Sequence, residues 1–214
     1  MLKYAKIKEY GCLKDVDVPL GDFNVLIGKN NTGKTTFLKA IQRYYSHDFN
    51  IIFPERKRED YYNRSLAEEM AIYLEDKNVE LLPHSFLSML YPQSILFSHS
   101  DNVLLLESPE CGVHYSCLKG ITEFLRCLSV GKLKKIPKAQ VIITTYSPYL
   151  LDYCSVDEVL VFHKDENDNT KIFPMNMVKG IKEWIGVHEY SLGELWGNWG
   201  EEDFFRRATQ CDTK

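Results

Sequence analysis

The sequence lacks the features that would place the protein at a membrane, in an oxidising compartment or on nucleic acid in general. No apolar run is long enough to span a bilayer, and the opening Met-Leu-Lys-Tyr does not resemble a signal peptide. The six cysteines are scattered without the spacing of a disulfide framework. The formal net charge of −4 does not indicate a general nucleic-acid binder, so DNA contact would need a local basic patch. We therefore expect a cytoplasmic protein without membrane contact.

Internal repeats and low-complexity tracts are also absent. The 214 residues, 44% of them hydrophobic and 26% charged, suit a globular chain with a sizeable core. We therefore expect a single domain over residues 1–214.

One stretch fits the phosphate-binding loop pattern G-x-x-x-x-G-K-[ST]. It lies between Phe23–Ile27, an apolar run that predicts a buried strand, and Thr36–Gln42, which predicts the first turns of a helix. Its glycines allow consecutive N–H groups to cradle phosphate oxygens at the positive end of that helix. We expect Lys34 to reach the β- and γ-phosphates and the Thr35 hydroxyl to bind Mg²⁺. The candidate binding residues are Gly28, Lys29, Asn30, Asn31, Thr32, Gly33, Lys34, Thr35 and Thr36.

Short apolar runs indicate an α/β fold. Val103–Leu106, followed by Glu107, predicts a central parallel strand with an acid at its C-terminal tip, where ligands bind in open α/β sheets. Taken alone, Glu107 is equally well explained as an incidental surface acid. Ala139–Thr145 and Val156–Phe162 predict two more buried strands, and Leu118–Leu128 predicts an amphipathic helix. This alternation predicts a mainly parallel central sheet covered by helices on both faces.

The chain opens with the pattern of a small antiparallel sheet. Leu2–Lys8 alternates apolar and polar residues as a half-buried strand does. A turn at Gly11 and Cys12 then leads to a second predicted strand, Val16–Leu20. The phosphate loop follows directly.

Two segments carry a resemblance to a known family. Ile7–Val16 and Asn24–Thr36 resemble the start of RecF-, OLD- and SMC-type ATPases, a branch of the ABC-type superfamily that works on DNA ends, in chromosome maintenance and in phage defence. The likeness covers about residues 1–45 and 100–200. It implies a P-loop NTPase that binds ATP and Mg²⁺, with Glu107 as the Walker B acid that holds the metal through water.

The resemblance also divides the expected domain into four parts. These are the N-terminal sheet with the P-loop (1–45), a shortened helical insert (46–100), the Walker B half (101–200) and a tail (201–214). The insert is too short for the long arm of larger relatives, and no Toprim-like nuclease segment follows the ATPase core. The resemblance therefore implies that gripping or cutting DNA needs another chain.

Two departures from the family pattern bear on catalysis. Ser108 stands where these ATPases carry the glutamate that polarises the attacking water, and a serine is a poor general base. Glu110 is a candidate substitute whose reach is open. Tyr146 stands where the family has a histidine that contacts the γ-phosphate, and a phenol stays neutral because its ordinary pKa is about 10. The candidate catalytic residues are Lys34, Glu107, Ser108, Glu110 and Tyr146.

A third departure concerns assembly. The chain has no glycine between Gly33 and Gly112, so the Ser- and Gly-bearing signature loop of ABC-type dimers is missing, although Ser85–Leu90 lies near its place. We therefore expect ATP not to drive the usual two-site sandwich. Any homodimer would use other surfaces, such as the tryptophan-bearing C-terminal segment.

Three weaker signals leave alternatives open. Cys111, His114 and Cys117 have ligand-like spacing, but a closed zinc site needs four ligands, so ordinary packing is favoured. Gly131–Lys138 is a basic loop that suits a solvated surface better than a phosphate-contacting patch. The C-terminal tryptophans suit an interface and a core equally well. They are Trp184, Trp196 and Trp199.

The preferred interpretation is an ATP-binding ATPase subunit with weak or partner-dependent hydrolysis. The resemblance implies that it controls a nuclease or toxin in DNA repair or phage defence, through association with itself or with that effector chain. DNA would be reached through the partner or the local basic loop. The alternatives are a non-hydrolysing regulatory or structural subunit, including one that sequesters a full-length relative, and an inactive truncated fragment.

Overall fold

The structure is a computed structural model that describes residues 1–47, 95–97, 102–133 and 137–209. The candidate signature position Ser85–Leu90 and most of the 46–100 insert lie outside the described residues.

The predicted N-terminal sheet is present as a hairpin of two antiparallel strands. Strand β1 runs from Tyr4–Tyr10 and β2 from Leu13–Pro19. Three residues of β2 are buried, Leu13, Val16 and Val18, and its other four residues are exposed. This confirms the small antiparallel sheet that the apolar alternation predicts.

The main sheet has six described strands, in the spatial order β4-β5-β6-β3-β7-β8. The four central strands are parallel, whereas β4 and β8 pair antiparallel at the two edges. Strands β3 and β6 are buried along their whole length, which explains their continuous apolar runs. The mainly parallel sheet is therefore confirmed. The strands are β3 (Phe23–Ile27), β4 (Ile95–Phe97), β5 (Asn102–Glu107), β6 (Gln140–Thr145), β7 (Val159–Lys164) and β8 (Thr170–Pro174).

Helices cover both faces of this sheet, as predicted. The β1–β2 hairpin and α1 share one apolar cluster that includes Phe37 and Phe162, whose rings meet edge to face at 5.5 Å. Helices α2, α3 and α5 share the other cluster, which includes Phe124 and Phe204. The helices are α1 (Lys34–His47), α2 (Leu118–Ser129), α3 (Pro148–Leu151), α4 (Ile181–Gly186) and α5 (Leu192–Thr209). None of the helices in the described parts is long and apolar enough to cross a membrane.

The bounds of several strands were predicted wrongly: β1 begins at Tyr4 instead of Leu2 and β2 at Leu13 instead of Val16, and the start of β7 also differs. Residues 156–158 form a 3-10 turn, and β7 begins at Val159. The cause is a capping box, in which the Ser155 hydroxyl accepts from Asp157 N while the Glu158 carboxylate accepts from Ser155 N. Apolar residues alone do not reveal this local competition.

The sheet brings three strand ends to one edge. In the register of the sheet, Glu107 at the end of β5 lies beside Thr144 of β6, and Thr145 lies beside Ile27 at the end of β3. The segments that follow these strands therefore meet at the carboxyl edge of the parallel sheet, where ligands bind in such folds.

Candidate nucleotide-binding site

Close packing fixes the shape of the loop after β3. Gly33 has a φ of +100°, which favours glycine, and a Cβ there would lie 2.8 Å from Thr170 Oγ1 and 2.9 Å from Cys12 Sγ. Thr170 Oγ1 donates to Thr32 O at 2.9 Å. A Cβ at Gly28 would lie 2.3 Å from the Phe162 carbonyl oxygen. The two glycines of the motif are therefore required by contacts with β7, β8 and the hairpin.

Lys34 lies inside this loop, with only 3% of its surface exposed. Its Nζ donates to Gly28 O and Lys29 O, each at 2.8 Å, and lies 4.2 Å from the centre of the Tyr146 ring. Burial lowers the pKa of Lys34 to about 8, and the carboxylates of Glu201 and Glu107 oppose that shift. The Lys34 ammonium therefore loses its proton near pH 8 instead of near pH 10.5.

Thr35 and Glu107 meet directly across the gap between α1 and β5. The Thr35 hydroxyl donates to Glu107 Oε1, and both residues reach the surface at the sheet edge. A hydroxyl and a carboxylate are ligands that suit Mg²⁺, which keeps several waters and needs only one or two carboxylates. The donor set therefore fits the metal that the sequence predicts.

The residues after β5 are tied to the end of β6. Ser108 is 8% exposed with a φ of +49°, and its N–H donates to Thr144 O at 3.0 Å. Glu110 Oε1 accepts from Thr145 Oγ1 at 2.8 Å and from Tyr146 N at 3.0 Å. Glu110 thus braces the loop that carries Tyr146.

Tyr146 is half exposed, and its ring lies over the Lys34 ammonium. Burial raises the pKa of the Tyr146 phenol above its ordinary value, and the charges of Glu107 and Glu110 raise it further. The side chain is therefore neutral, and it contacts Lys34 through its ring face rather than as a cation.

An open cavity of ~450 Å³ follows the outside of the loop. Cys12, at the β1–β2 turn, lines it together with Lys34, Thr35 and Tyr146. The sequence identified Cys12 only as part of a turn, in the hairpin that precedes the P-loop strand. The other lining residues are Asn30, Asn31, Gly33 and Thr36.

Two further residues next to the loop, Glu201 and His163, could not be identified from the sequence. Glu201 Oε2, on α5, accepts from Lys29 N at 2.7 Å, and its Oε1 lies 2.8 Å from His163 Nδ1. Glu201 lies in the run EEDFF, which resembles a solvated helix surface, and it is 172 residues away from Lys29. No local pattern connects such distant positions.

The weaker sequence signals lie away from this site. His114 Nδ1 is 2.8 Å from Ser116 Oγ, and no group of three His, Cys, Asp or Glu side chains suited to a metal occurs in the described residues. Lys138 of the basic loop donates to Asp22 Oδ2 at 2.8 Å, while 134–136 are outside the described residues. Trp199 packs against Trp184 and Phe204 at ring distances of 5.5 and 5.3 Å, and Trp196 packs against Phe204 at 5.1 Å.

Comparisons with known proteins agree with this geometry. Residues 1–99 match the family model described as AAA ATPase domain. Over 41 residues the chain is 49% identical to an OLD nuclease from Thermus scotoductus (strain ATCC 700910 / SA-01), a match that covers 19% of this chain and 8% of that protein. Both matches support the resemblance to OLD- and RecF-like P-loop ATPases that the sequence predicts, each over part of the chain.

Proposed function

We propose that the chain binds ATP with Mg²⁺ through residues 28–36 and Glu107, and that it hydrolyses ATP slowly when alone. The observation that carries this proposal is the direct contact of Thr35 with Glu107 beside the buried Lys34, at the carboxyl edge of a parallel sheet. A P-loop lysine, a Mg²⁺-binding hydroxyl and a Walker B acid are the parts that phosphoryl transfer requires for positioning and charge stabilisation.

Each residue has a distinct role in this proposal. The N–H groups of the loop hold phosphate oxygens at the start of α1, and Lys34 supplies a positive charge to the terminal phosphates. Thr35 and Glu107 hold Mg²⁺, which neutralises the charge of the phosphates when it is bound. Tyr146 covers Lys34 and contacts the region in which the terminal phosphate would lie.

The same geometry supports slow turnover. Ser108 follows the Walker B acid but is nearly buried and lacks a basic group. Glu110 already accepts two hydrogen bonds from the end of β6. These observations also favour the second candidate function, a non-hydrolysing regulatory subunit whose ATP binding alone controls association.

The proposal for a wider cellular role is based on the similarity to the OLD nuclease. Because an OLD nuclease is the matched protein, we propose that the chain controls a nuclease or another effector in DNA repair or phage defence. The matched segment spans only 8% of that nuclease, so its activity is not transferred to this chain. Self-association, contact with an effector and contact with DNA stay predictions. The neighbouring reading frame tests this role, since a nuclease or toxin gene would support it and a lone phage-borne frame would favour the regulatory subunit.

Calorimetry with ATP and Mg²⁺ tests the binding itself. We expect the parent chain to bind and Lys34→Ala to lose measurable affinity, because the substitution removes the buried ammonium at the centre of the loop. Lys132→Ala is the control, since Lys132 is exposed on the basic loop and its loss should leave affinity unchanged. A parent chain with no affinity for ATP would refute the proposal.

Affinity for ATP should also depend on pH. Because the pKa of Lys34 is about 8, the free chain loses this charge as pH rises, and we expect the dissociation constant to increase about tenfold per pH unit above 8. Unfolding of the chain would not cause this loss of affinity. Between pH 8 and 10.5 the Lys34 side chain binds more protons in the unfolded chain than in the folded chain, so its contribution to the free energy of unfolding increases as pH rises. Calorimetry at pH 7, 8 and 9 tests this prediction, and an affinity for ATP that is the same at all three pH values would contradict it.

A further inference from the structure

Glu201 is a buried carboxylate that the proposed ATP-binding reaction does not use. It is 4% exposed, and both of its oxygens have partners, Lys29 N at 2.7 Å and His163 Nδ1 at 2.8 Å. Burying a carboxylate is unfavourable unless it is hydrogen-bonded, so these two contacts must hold it in place. One of them is the first N–H after Gly28 in the P-loop.

The local structure of α5 aims Glu201 at the loop. Gly200 interrupts the helix with φ 72° and ψ 169°, directly before Glu201. One turn later, the Phe205 ring stacks on His163 at 4.3 Å with an angle of 24° between the ring planes. The exposed Lys29 Nζ also reaches Glu202 at 3.4 Å.

The start of α5 contacts the segment that follows Tyr146. Gly193 N donates to Asp152 Oδ1 at 2.8 Å, and a Cβ on Gly193 would lie 2.2 Å from the Pro148 carbonyl oxygen. Helix α5 is therefore in contact at one end with α3, which follows Tyr146 in the chain, and, past its kink, with the entry of the P-loop.

We propose that Glu201 is a positioning residue that fastens the entry of the P-loop to α5, so that nucleotide binding and the position of α5 are coupled. Lys29 is held from both sides, because its N–H donates to Glu201 and its carbonyl accepts from Lys34 Nζ at 2.8 Å. Phosphate competes with that carbonyl for the Lys34 ammonium, and any shift of Lys29 acts on Glu201. This inference rests on the proposed function.

The chain contains its own reporter for such coupling. All three of its tryptophans lie in α4 and α5. Trp199 precedes the kink at Gly200 and lies 4.2 Å from the Arg207 guanidinium. A change in α5 should therefore alter the intrinsic tryptophan fluorescence.

The experiment compares four variants by calorimetry and by tryptophan fluorescence during titration with ATP and Mg²⁺. Glu201→Ala removes both hydrogen bonds, Glu201→Asp keeps the charge but shortens the reach, and Glu201→Gln keeps an acceptor for Lys29 N. Glu202→Gln is the matched control, because Glu202 is an adjacent, 82% exposed carboxylate that contacts the same lysine only through its side chain.

We expect the parent chain and the Glu202→Gln variant to bind ATP with a fluorescence change. Glu201→Ala and Glu201→Asp should bind about tenfold more weakly, the usual effect of losing a hydrogen bond to a charged group, and should lose the fluorescence response. All titrations are run at about pH 6.5, so that Lys34 stays protonated when the Glu201 charge is removed, and under this condition Glu201→Gln should restore both to within about threefold of the parent chain. If Glu201 only stabilised the fold, the substitutions would lower the melting temperature, but Glu201→Asp and Glu201→Gln would not differ in their affinity for ATP or in their fluorescence response.

Parent-like affinity and fluorescence response in Glu201→Asp would overturn this inference and leave the proposed function intact. A parent chain that binds ATP without any fluorescence change would overturn the coupling in the same way. If the parent chain did not bind ATP, the proposed function would fail, and this inference with it. If Glu201→Ala did not fold, the comparison of Glu201→Asp with Glu201→Gln would still decide.

Discussion

Very slow ATP turnover with retained ATP binding is the expected result for the isolated chain. The residue after the Walker B acid is Ser108, and the loss of a general base typically lowers a rate by about 10²–10⁴-fold. Tyr146 replaces the family's histidine with a neutral ring, and the chain lacks the glycine of a signature loop between Gly33 and Gly112. In the proposed function, Lys34, Thr35 and Glu107 would still supply part of the charge stabilisation.

Substitutions should separate these defects. Ser108→Glu should raise phosphate release by up to about 10²–10⁴-fold if the base alone is missing. If Ser108→Glu combined with Tyr146→His is still inert, the absent signature loop is the dominant defect. Phosphate release measured in the purified parent chain provides the reference. Brisk turnover there, unchanged by Glu110→Gln, would show that the catalytic positions around β5 are wrongly assigned.

Gly33→Val should cause a large loss of stability. The valine would adopt a φ near +100°, and its Cβ would lie 2.8 Å from Thr170 Oγ1 and 2.9 Å from Cys12 Sγ. Backbone strain of this kind costs about 1–3 kcal/mol, and overpacking costs about as much again. We expect the free energy of unfolding to fall by about 2–6 kcal/mol, with ATP binding lost.

Gly197→Ala provides the control for that measurement. Gly197 lies in α5, and a Cβ there would have nothing within 4 Å. Alanine should therefore stabilise the chain by about 0.4–1 kcal/mol, because it restricts the unfolded state without strain. Urea denaturation of both variants tests the pair. Equal stability of Gly33→Val and the parent chain would mean that the loop does not have the conformation described above.

The sequence predicts those parts of the site whose signals are local. Phe23–Ile27 forms the predicted strand without any shift, because a short apolar run before a glycine leaves few other structures. The strand that ends at Glu107 is equally local, as its buried residues are contiguous. Contact between Thr35 and Glu107 then follows from strand order, since parallel strands bring their carboxyl ends to one edge.

Contacts between distant segments could not be predicted in this way. The position of Tyr146 over Lys34 depends on how the loop after β6 turns, and no residue pattern specifies that turn. Glu201 reaches Lys29 because Gly200 breaks α5 at one point, whereas the surrounding sequence has the composition of an exposed helix. A polar residue in a charged run gives no sign that it is buried until its partner is known.

The hairpin of β1 and β2 also protects the main sheet from adding further strands. Edge strands expose unpaired N–H and carbonyl groups that template aggregation. At one edge, Thr170 N of β8 donates to Cys12 O at 3.4 Å, and β8 carries an exposed lysine, Lys171, and ends in Pro174. Lysine and proline both discourage pairing with a foreign strand. The β1–β2 turn, which lines the cavity beside Lys34, therefore also covers this edge, so that one short segment contributes to the candidate site and to protection of the edge from foreign strands.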